Sequence, residues 1–231
     1  MAKLYKAKAN AVLILDESMH KTAFNEVARL AKPGNSGLEK LLFPIIKDGI
    51  LDAKIISGSP DIHGQFKARA RDSHLSAEVA CFLGGICSGI KAPVSYLDTM
   101  VKSLEEEDCN MVVIGGPITN RIALELQKHL PARLEFESGQ WAIKSSASGK
   151  TYSEENTGLI ELVEHPFHKG KKILFIAGIR NGGTKAAVLA LQANPELALS
   201  GNNSDGRIRT KIVEGLDMDS DGKIDSFEFR E

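Results

Sequence analysis

Four short apolar runs, each followed by small or polar residues and then by a stretch with helical spacing, constrain this chain most. They are residues 11–15 (AVLIL), 52–57 (DAKIIS), 111–114 (MVVI) and 173–177 (ILFIA). Strands apolar on both faces must be covered on both faces, and the intervals between these are long enough for helical crossovers. The expectation is an α/β fold: a doubly wound, mostly parallel sheet with right-handed crossovers. Helices are predicted at about 20–31, 38–47, 76–90, 93–107, 120–129 and 184–193. The run 32–37 (KPGNSG) is a break, and Pro195 is expected to stop the last helix. Gly84, Gly85 and Gly89 suggest close approach of another backbone. Strand order is not legible.

Between 133 and 166 the texture changes. LEFES, QWAIKS and GLIELVEH alternate between Ser- and Gly-rich turns, which predicts an antiparallel insert at the sheet edge or as a small flap. The run 199–206 (LSGNNSDG) reads as a linker, dividing a 1–198 domain from a 207–231 tail.

Lys+Arg 29 against Asp+Glu 30 gives a net charge of -1, which argues against capture of nucleic acid or an anionic membrane. No apolar run is long enough for a membrane span. The basic start runs through VLILD with no small-residue cleavage pattern, so it is read as a strand and not a signal peptide. Cys81, Cys87 and Cys109 match no zinc or redox spacing and read as reduced thiols, which fits a cytoplasmic placement.

The sharpest chemistry lies in residues 217–228, DMDSDGKIDSFE. Asp217, Asp219, Asp221, Asp225 and Glu228 fall at positions 1, 3, 5, 9 and 12 of a twelve-residue loop. Gly222 falls at position 6 and Lys223 at 7, where the backbone carbonyl would serve. That is the EF-hand-like pattern for Ca²⁺, which takes about six to eight oxygens. Too few residues follow to form an exit helix, and residues 207–213 suit an entering strand at least as well as a helix. A solvated acidic turn that folds without metal is the alternative. A calcium-driven switch would need a helix pair to open.

In an open α/β sheet, ligands sit outside the carboxyl ends of the strands. The candidates there are Asp16, Ser57, Gly115, Gly116, Asn120, Arg180, Asn181 and Thr184. Helix N-termini behind the last two strands and the Arg180 guanidinium suit a small anion. Neither glycine run has the register of a phosphate loop or a dinucleotide fingerprint. The bland reading is tight turns and close helix packing, with Asp16 as a helix cap. His63 and His74 flank the basic positions Lys67, Arg69 and Arg71 in what reads as a solvated connection. His165 and His168 lack a third ligand nearby, Trp141 reads as packing, and Glu105–Asp108 as a solvated acidic run. No hydrolase or zinc-protease signature is present.

Three segments together point to a family. VVIGGPITNRIALEL (112–126), KKILFIAGIRNGGTKAAVLAL (171–191) and IVEGLDMDSDGKIDSFEF (212–229) resemble, in order, two strand–glycine–helix units and the acidic tail of archaeal S-layer proteins. Residues 52–85 are more loosely similar to an earlier unit. The resemblance implies an envelope-associated, calcium-dependent α/β domain with a structural role, of which this chain is a free-standing relative. Two readings are open. One is a calcium-binding, non-catalytic structural or interaction protein, engaging a protein partner or itself. The other is a sensor or enzyme for a nucleotide- or phosphate-like ligand, with a pocket among Asp16, Ser57, Gly116 and Arg180.

Overall fold

The structure, a computed structural model, describes residues 3–6, 12–15, 36–137 and 139–231. The predicted helix at 20–31, most of the 32–37 break and Asp16 lie outside them. Strands β1 (Lys3–Lys6) and β2 (Val12–Leu15) pair antiparallel with each other. Helix α1 (Ser36–Leu42) precedes the short strands β3 (Ile46–Lys47) and β4 (Ile50–Leu51), and then β5 (Lys54–Ser57). Helix α2 (Ser73–Ile86) leads to β6 (Gly89–Ile90), β7 (Ser95–Leu97) and β8 (Met111–Ile114). Helix α3 (Arg121–Leu126) is followed by β9 (Ala132–Glu137), β10 (Gln140–Ser145), β11 (Thr151–Tyr152) and β12 (Thr157–Glu164). The chain continues through β13 (Lys172–Gly178), α4 (Asn181–Ala193), α5 (Pro195–Ala198), β14 (Thr210–Leu216) and β15 (Ser226–Phe229).

Seven strands form one sheet in the order β15-β14-β12-β13-β8-β5-β7. β13, β8, β5 and β7 are mutually parallel, whereas β12, β14 and β15 join antiparallel. This overturns the doubly wound α/β expectation: the molecule is sheet-rich, with a mixed main sheet and smaller sheets beside it. Chain length explains the difference. The connection from Glu164 to Lys172 is too short for a parallel crossover, which takes about a dozen residues or more, so β12 must run against β13. β12 is also not an edge strand or flap. Its first six residues are all buried, and it lies between β13 and β14.

Successive residues of the sheet face two separate cores. Ile55, Val112, Ile114, Leu174, Ile176 and Val213 pack with Leu75, Val79 and Leu83 of α2 and with Ala187 and Leu191 of α4. Ile56, Met111, Val113, Phe175, Leu159 and Ile212 pack with Ile122 and Leu126 of α3 and with Leu134 and Ile143 of the three-stranded β11-β10-β9 sheet. Helices therefore cover one face, and a helix plus a small sheet cover the other. A fully buried side chain such as Phe175 contributes about 1.5–3 kcal/mol by leaving water.

Several helix boundaries differ from expectation. The helix expected at 93–107 is absent. Ser95–Leu97 pairs with β5 as an edge strand, and Asp98 turns inward. Leu97, Val101 and Leu104 fall at helical spacing, but backbone pairing to β5 and the buried Asp98 carboxylate outweigh it. The helix expected at 38–47 stops at Leu42 before Pro44, and Ile46–Lys47 is a strand. α2 runs three residues earlier and ends four earlier than expected, since Gly89–Ile90 pairs with β4. No backbone crowds Gly84 or Gly85; the space above Gly89 is filled by Ile50. Pro195 opens α5 instead of only ending α4, where its missing N–H costs nothing.

The end of the chain is tied into the sheet. Of the expected entering segment 207–213, residues 210–213 belong to β14, which pairs with β12, and β15 returns along it. The Glu231 side chain, 3% exposed, accepts hydrogen bonds from Ser145 Oγ (2.9 Å), Tyr152 Oη (2.8 Å), Asn202 Nδ2 (2.6 Å) and Ser148 Oγ. Burial works to raise its pKa, but these donors outweigh it and hold the carboxyl below its ordinary value.

Candidate functional site

The carboxyl ends of β8 and β13 lie side by side, and glycines shape the turn after each strand. Gly115 has φ +98°, and a Cβ there would sit 2.9 Å from Asp72 Oδ2. After Gly116 and Pro117 the chain reaches Asn120, whose Oδ1 accepts from Ile122 N (3.0 Å) and Ala123 N (3.2 Å) to cap α3. Its Nδ2 donates to Ile114 O (3.0 Å) and Ile56 O (3.4 Å), so this buried amide joins the ends of two strands to the helix. On the β13 side, α4 starts in backbone contact with the sheet. A Cβ at Gly183 would lie 2.1 Å from Thr157 O, and one at Gly178 would lie 2.2 Å from Thr184 N.

Between these ends a cavity of about 350 Å³ opens. Gly116, Ile118, Thr119, Gly178, Arg180, Asn181 and Thr184 line it from the two strand ends. Arg69, Arg71 and Asp72 line it from the segment before α2, and Leu134 and Trp141 from β9 and β10. Of the residues expected here, Gly116, Arg180, Asn181 and Thr184 are brought together. Ser57 is buried and does not line the cavity, Gly115 and Asn120 are occupied with the turn and the cap, and Asp16 lies outside the described residues. The cavity is thus bounded differently from the set Asp16, Ser57, Gly116 and Arg180.

Arg69, Arg71, Asp72 and Trp141 were not expected at this place. One signal could have found the first two. Positions 69 and 71 alternate in an extended segment and so share a side, while Ala70 between them is buried and donates its N–H to Ser59 O (3.0 Å). The segment is anchored from below. Asp98, fully buried, accepts from Ser59 N (2.8 Å) and Arg121 N (2.8 Å) and pairs with His63 Nε2 (2.9 Å). His63 is therefore not a solvated loop residue; its ring is a strut. Burial lowers its pKa, but the Asp61 carbonyl, Asp98 and the Thr119 carbonyl outweigh that and raise it.

Asp72 is 8% exposed; Asn181 Nδ2 donates to its Oδ1. Burial raises its pKa against the opposing effects of Asn181 and His74. Arg180 pairs with Glu155 only loosely (Nε to Oε1 3.4 Å), both side chains being more than half exposed. Trp141 stands among aromatics, with Phe136 at 5.5 Å and Phe66 at 6.5 Å between ring centroids.

The acidic loop joins β14 to β15 as the turn of an antiparallel hairpin. Carboxylate oxygens of Asp217, Asp219 and Asp225 come within 4.8 Å of one another, all three side chains being exposed. Backbone N–H groups already point at them: Gly222 N to Asp217 Oδ2 (2.8 Å), Asp221 N to Asp219 Oδ1 (3.2 Å) and Met218 N to Asp225 Oδ1 (3.1 Å). Ser220 and Gly222 have positive φ, which makes the bend. Asp221 instead binds the Lys223 ammonium (2.6 Å), and Glu228 stands on β15 paired with Arg230 (3.3 Å). Ile224 of this loop packs against Gly182 and Gly215, so the hairpin turn abuts the start of α4.

Elsewhere, the His165 and His168 rings are 4.7 Å apart, and burial and the neighbouring ring push His165 down to about 4. Cys81 is exposed and Cys87 and Cys109 are half-buried; burial, then Glu39, pushes Cys87 up to about 11, which makes it a poor nucleophile. No helix among the described residues is long and apolar enough to cross a membrane.

Residues 61–194 match the family described as S-layer like family, outer domain. Every cavity-lining residue falls inside that stretch, and the acidic loop falls beyond it. The chain is also similar to T-complex protein 1 subunit delta of Schizosaccharomyces pombe, 25% identical over 118 residues. That likeness covers 46% of this chain and 22% of the yeast protein, so the chain spans about a fifth of that relative's length.

Proposed function

The chain belongs to the S-layer like family, as its outer domain, and from that premise we propose that it is a calcium-stabilised, non-catalytic structural module of the cell envelope. Family membership supports the structural, S-layer-related role and an envelope association. The cytoplasmic placement expected from the thiols gains no support beyond them. The likeness to the yeast T-complex subunit transfers no activity, given how little of that protein it covers.

The observation that carries the calcium part is the convergence of Asp217, Asp219 and Asp225 at the tip of the β14–β15 hairpin. Three like charges at that separation repel one another, and hard carboxylate oxygens suit a hard divalent cation. These three residues would hold the ion, with the Lys223 carbonyl at its loop position. Its contribution would be mechanical: neutralised carboxylates keep the turn closed against α4, where Ile224 meets Gly182. Asp221 and Glu228, engaged by Lys223 and Arg230, stand aside.

Calorimetric titration with CaCl₂, alongside thermal melts, tests this. Calcium at about a hundred times its dissociation constant should add about 2.7 kcal/mol of stability. Asp219→Ala should abolish that gain, whereas Glu228→Ala should keep it. Absence of both heat and stabilisation would mean that the backbone N–H groups alone close the loop, and the calcium reading would be lost.

A further inference from the structure

The cavity at the carboxyl ends of β8 and β13 is unused by the structural role above, and its lining is chemically mixed in a specific way. Three arginines converge on it, and Asp72 is the one acidic side chain that lines it. Among the described residues no carboxylate lies within ion-pair distance of Arg69 or Arg71, and Arg180 is held only by the loose, solvent-exposed contact to Glu155. Three arginines lining about 350 Å³ make the cavity wall electropositive, which favours an anionic group.

Two further features reach beyond a bare anion. Trp141 lines the same space, held by edge and tilted contacts with Phe66 and Phe136, and gives a flat apolar wall. Asp72, more than nine-tenths buried, spends one oxygen on Asn181, and its Oδ2 accepts no hydrogen bond from any described residue. A carboxylate oxygen of a cavity-lining residue that no described donor engages is free to accept from a ligand hydroxyl. The ligand that satisfies all three features carries an anionic group, a compact body with an apolar face, and hydroxyl donors.

We propose that this cavity binds an acidic sugar: Arg69, Arg71 and Arg180 take its carboxylate or phosphate, Trp141 covers a face of the ring, and Asp72 with Asn181 holds its hydroxyls. Uronates and sugar phosphates share this chemistry. The site is independent of the calcium loop, whose acidic residues lie outside the cavity.

Trp141 is the only tryptophan in the chain, so its emission reports on the cavity directly. The test titrates the full chain with D-glucuronate, glucose 6-phosphate, glucose, inorganic phosphate and AMP, with calorimetry as a second readout. The expected result is saturation by glucuronate, by glucose 6-phosphate or by both, with glucose and inorganic phosphate about tenfold weaker or worse. The tighter of the two acidic sugars identifies the anionic group. Arg71→Gln and Arg69→Gln, both at exposed positions, should each weaken binding about tenfold while melting like the wild type. Trp141→Phe, followed by calorimetry, should weaken it less. Equal binding of inorganic phosphate would reduce the site to a simple anion hole, tighter binding of AMP would reassign it to nucleotides, and no saturation at millimolar sugar would remove it; each overturns the proposal.

Discussion

The two halves of the main sheet solve the same burial problem with different chemistry. In the parallel half, β5, β8 and β13 are almost wholly aliphatic, and function-bearing groups gather where the strands end, around glycine turns and helix starts. In the antiparallel half, ionisable groups sit inside the layer itself. Glu161 is completely buried on β12, and Lys211, 1% exposed, is buried on β14, its pKa lowered by desolvation despite Glu231 nearby. Short turns close this half and carry acidic residues at a hairpin tip. Parallel strands force the chain across a face and leave loops free to build a cavity. Antiparallel strands return at once, so their polar groups must be satisfied within the sheet.

The halves meet at β12 and β13, where the first turn of α4 touches strand backbone. That joint should be the most sensitive place in the molecule. Gly183→Ala puts a methyl 2.1 Å from Thr157 O on β12, a backbone atom that cannot rotate away. The expected loss is on the order of 3 kcal/mol, read from denaturant melts. The same substitution at Gly139, whose Cβ would meet nothing, costs only its left-handed backbone and should lose about 1 kcal/mol. Equal losses would mean that α4 shifts easily and that the joint is not rigid.

What the residues disclosed obeys the same division. β8 (MVVI) and β13 (KILFIAG) were legible because both faces are apolar and their pairing needs no polar partner. β12 was misplaced because TGLIELVE shares the texture of the segments before it, yet it is a central strand whose Glu161 is buried. Only the distant Ala132 N–H and Thr210 hydroxyl make its burial tolerable. In the cavity, Gly116, Arg180, Asn181 and Thr184 were legible from the rule about carboxyl ends. Trp141 was not, since it arrives on a separate sheet, and neither was Asp98, whose three partners come from two distant segments, Ser59 and His63 from one and Arg121 from the other.

Glu161 makes that contrast measurable. Oε1 accepts from Ala132 N (2.8 Å) and Thr210 Oγ1 (2.9 Å), Oε2 has no partner among the described residues, and burial pushes the carboxyl up to about 8 against those two donors. The folded state then holds a proton that the unfolded chain releases near 4.5. Stability is therefore full below that value and falls as pH rises toward 8, by up to about 1.4 kcal/mol per pH unit. Glu161→Gln keeps the accepted bonds and cannot ionise. It should match the wild type at about pH 5 and exceed it by a few kcal/mol at about pH 8.5. Parallel curves for the two proteins would show that the buried acid is matched by a cation or water in the sheet.

The smallest expected effect tests the parallel half, where a buried ion pair lies under the loops instead of within the sheet. His63 bridges Asp61 O (2.7 Å) and Asp98, and its pKa is raised above 6.5. The sign is opposite in consequence to a depressed acid. The stabilisation is complete below 6.5 and disappears as pH climbs through the raised value, when the ring loses its charge. His63→Gln should lower stability by about 1 kcal/mol at about pH 5 and by little at about pH 9. Amide exchange should locate the loss in residues 59–71, the segment that carries Arg69 and Arg71 to the cavity. Asp98 keeps its bonds from Ser59 N and Arg121 N in the variant, so the strand ends should stay in place while the arginine segment loosens. Loosening that spread into β12 or β14 would show that the two halves share one buried electrostatic network, and the division between them would fail.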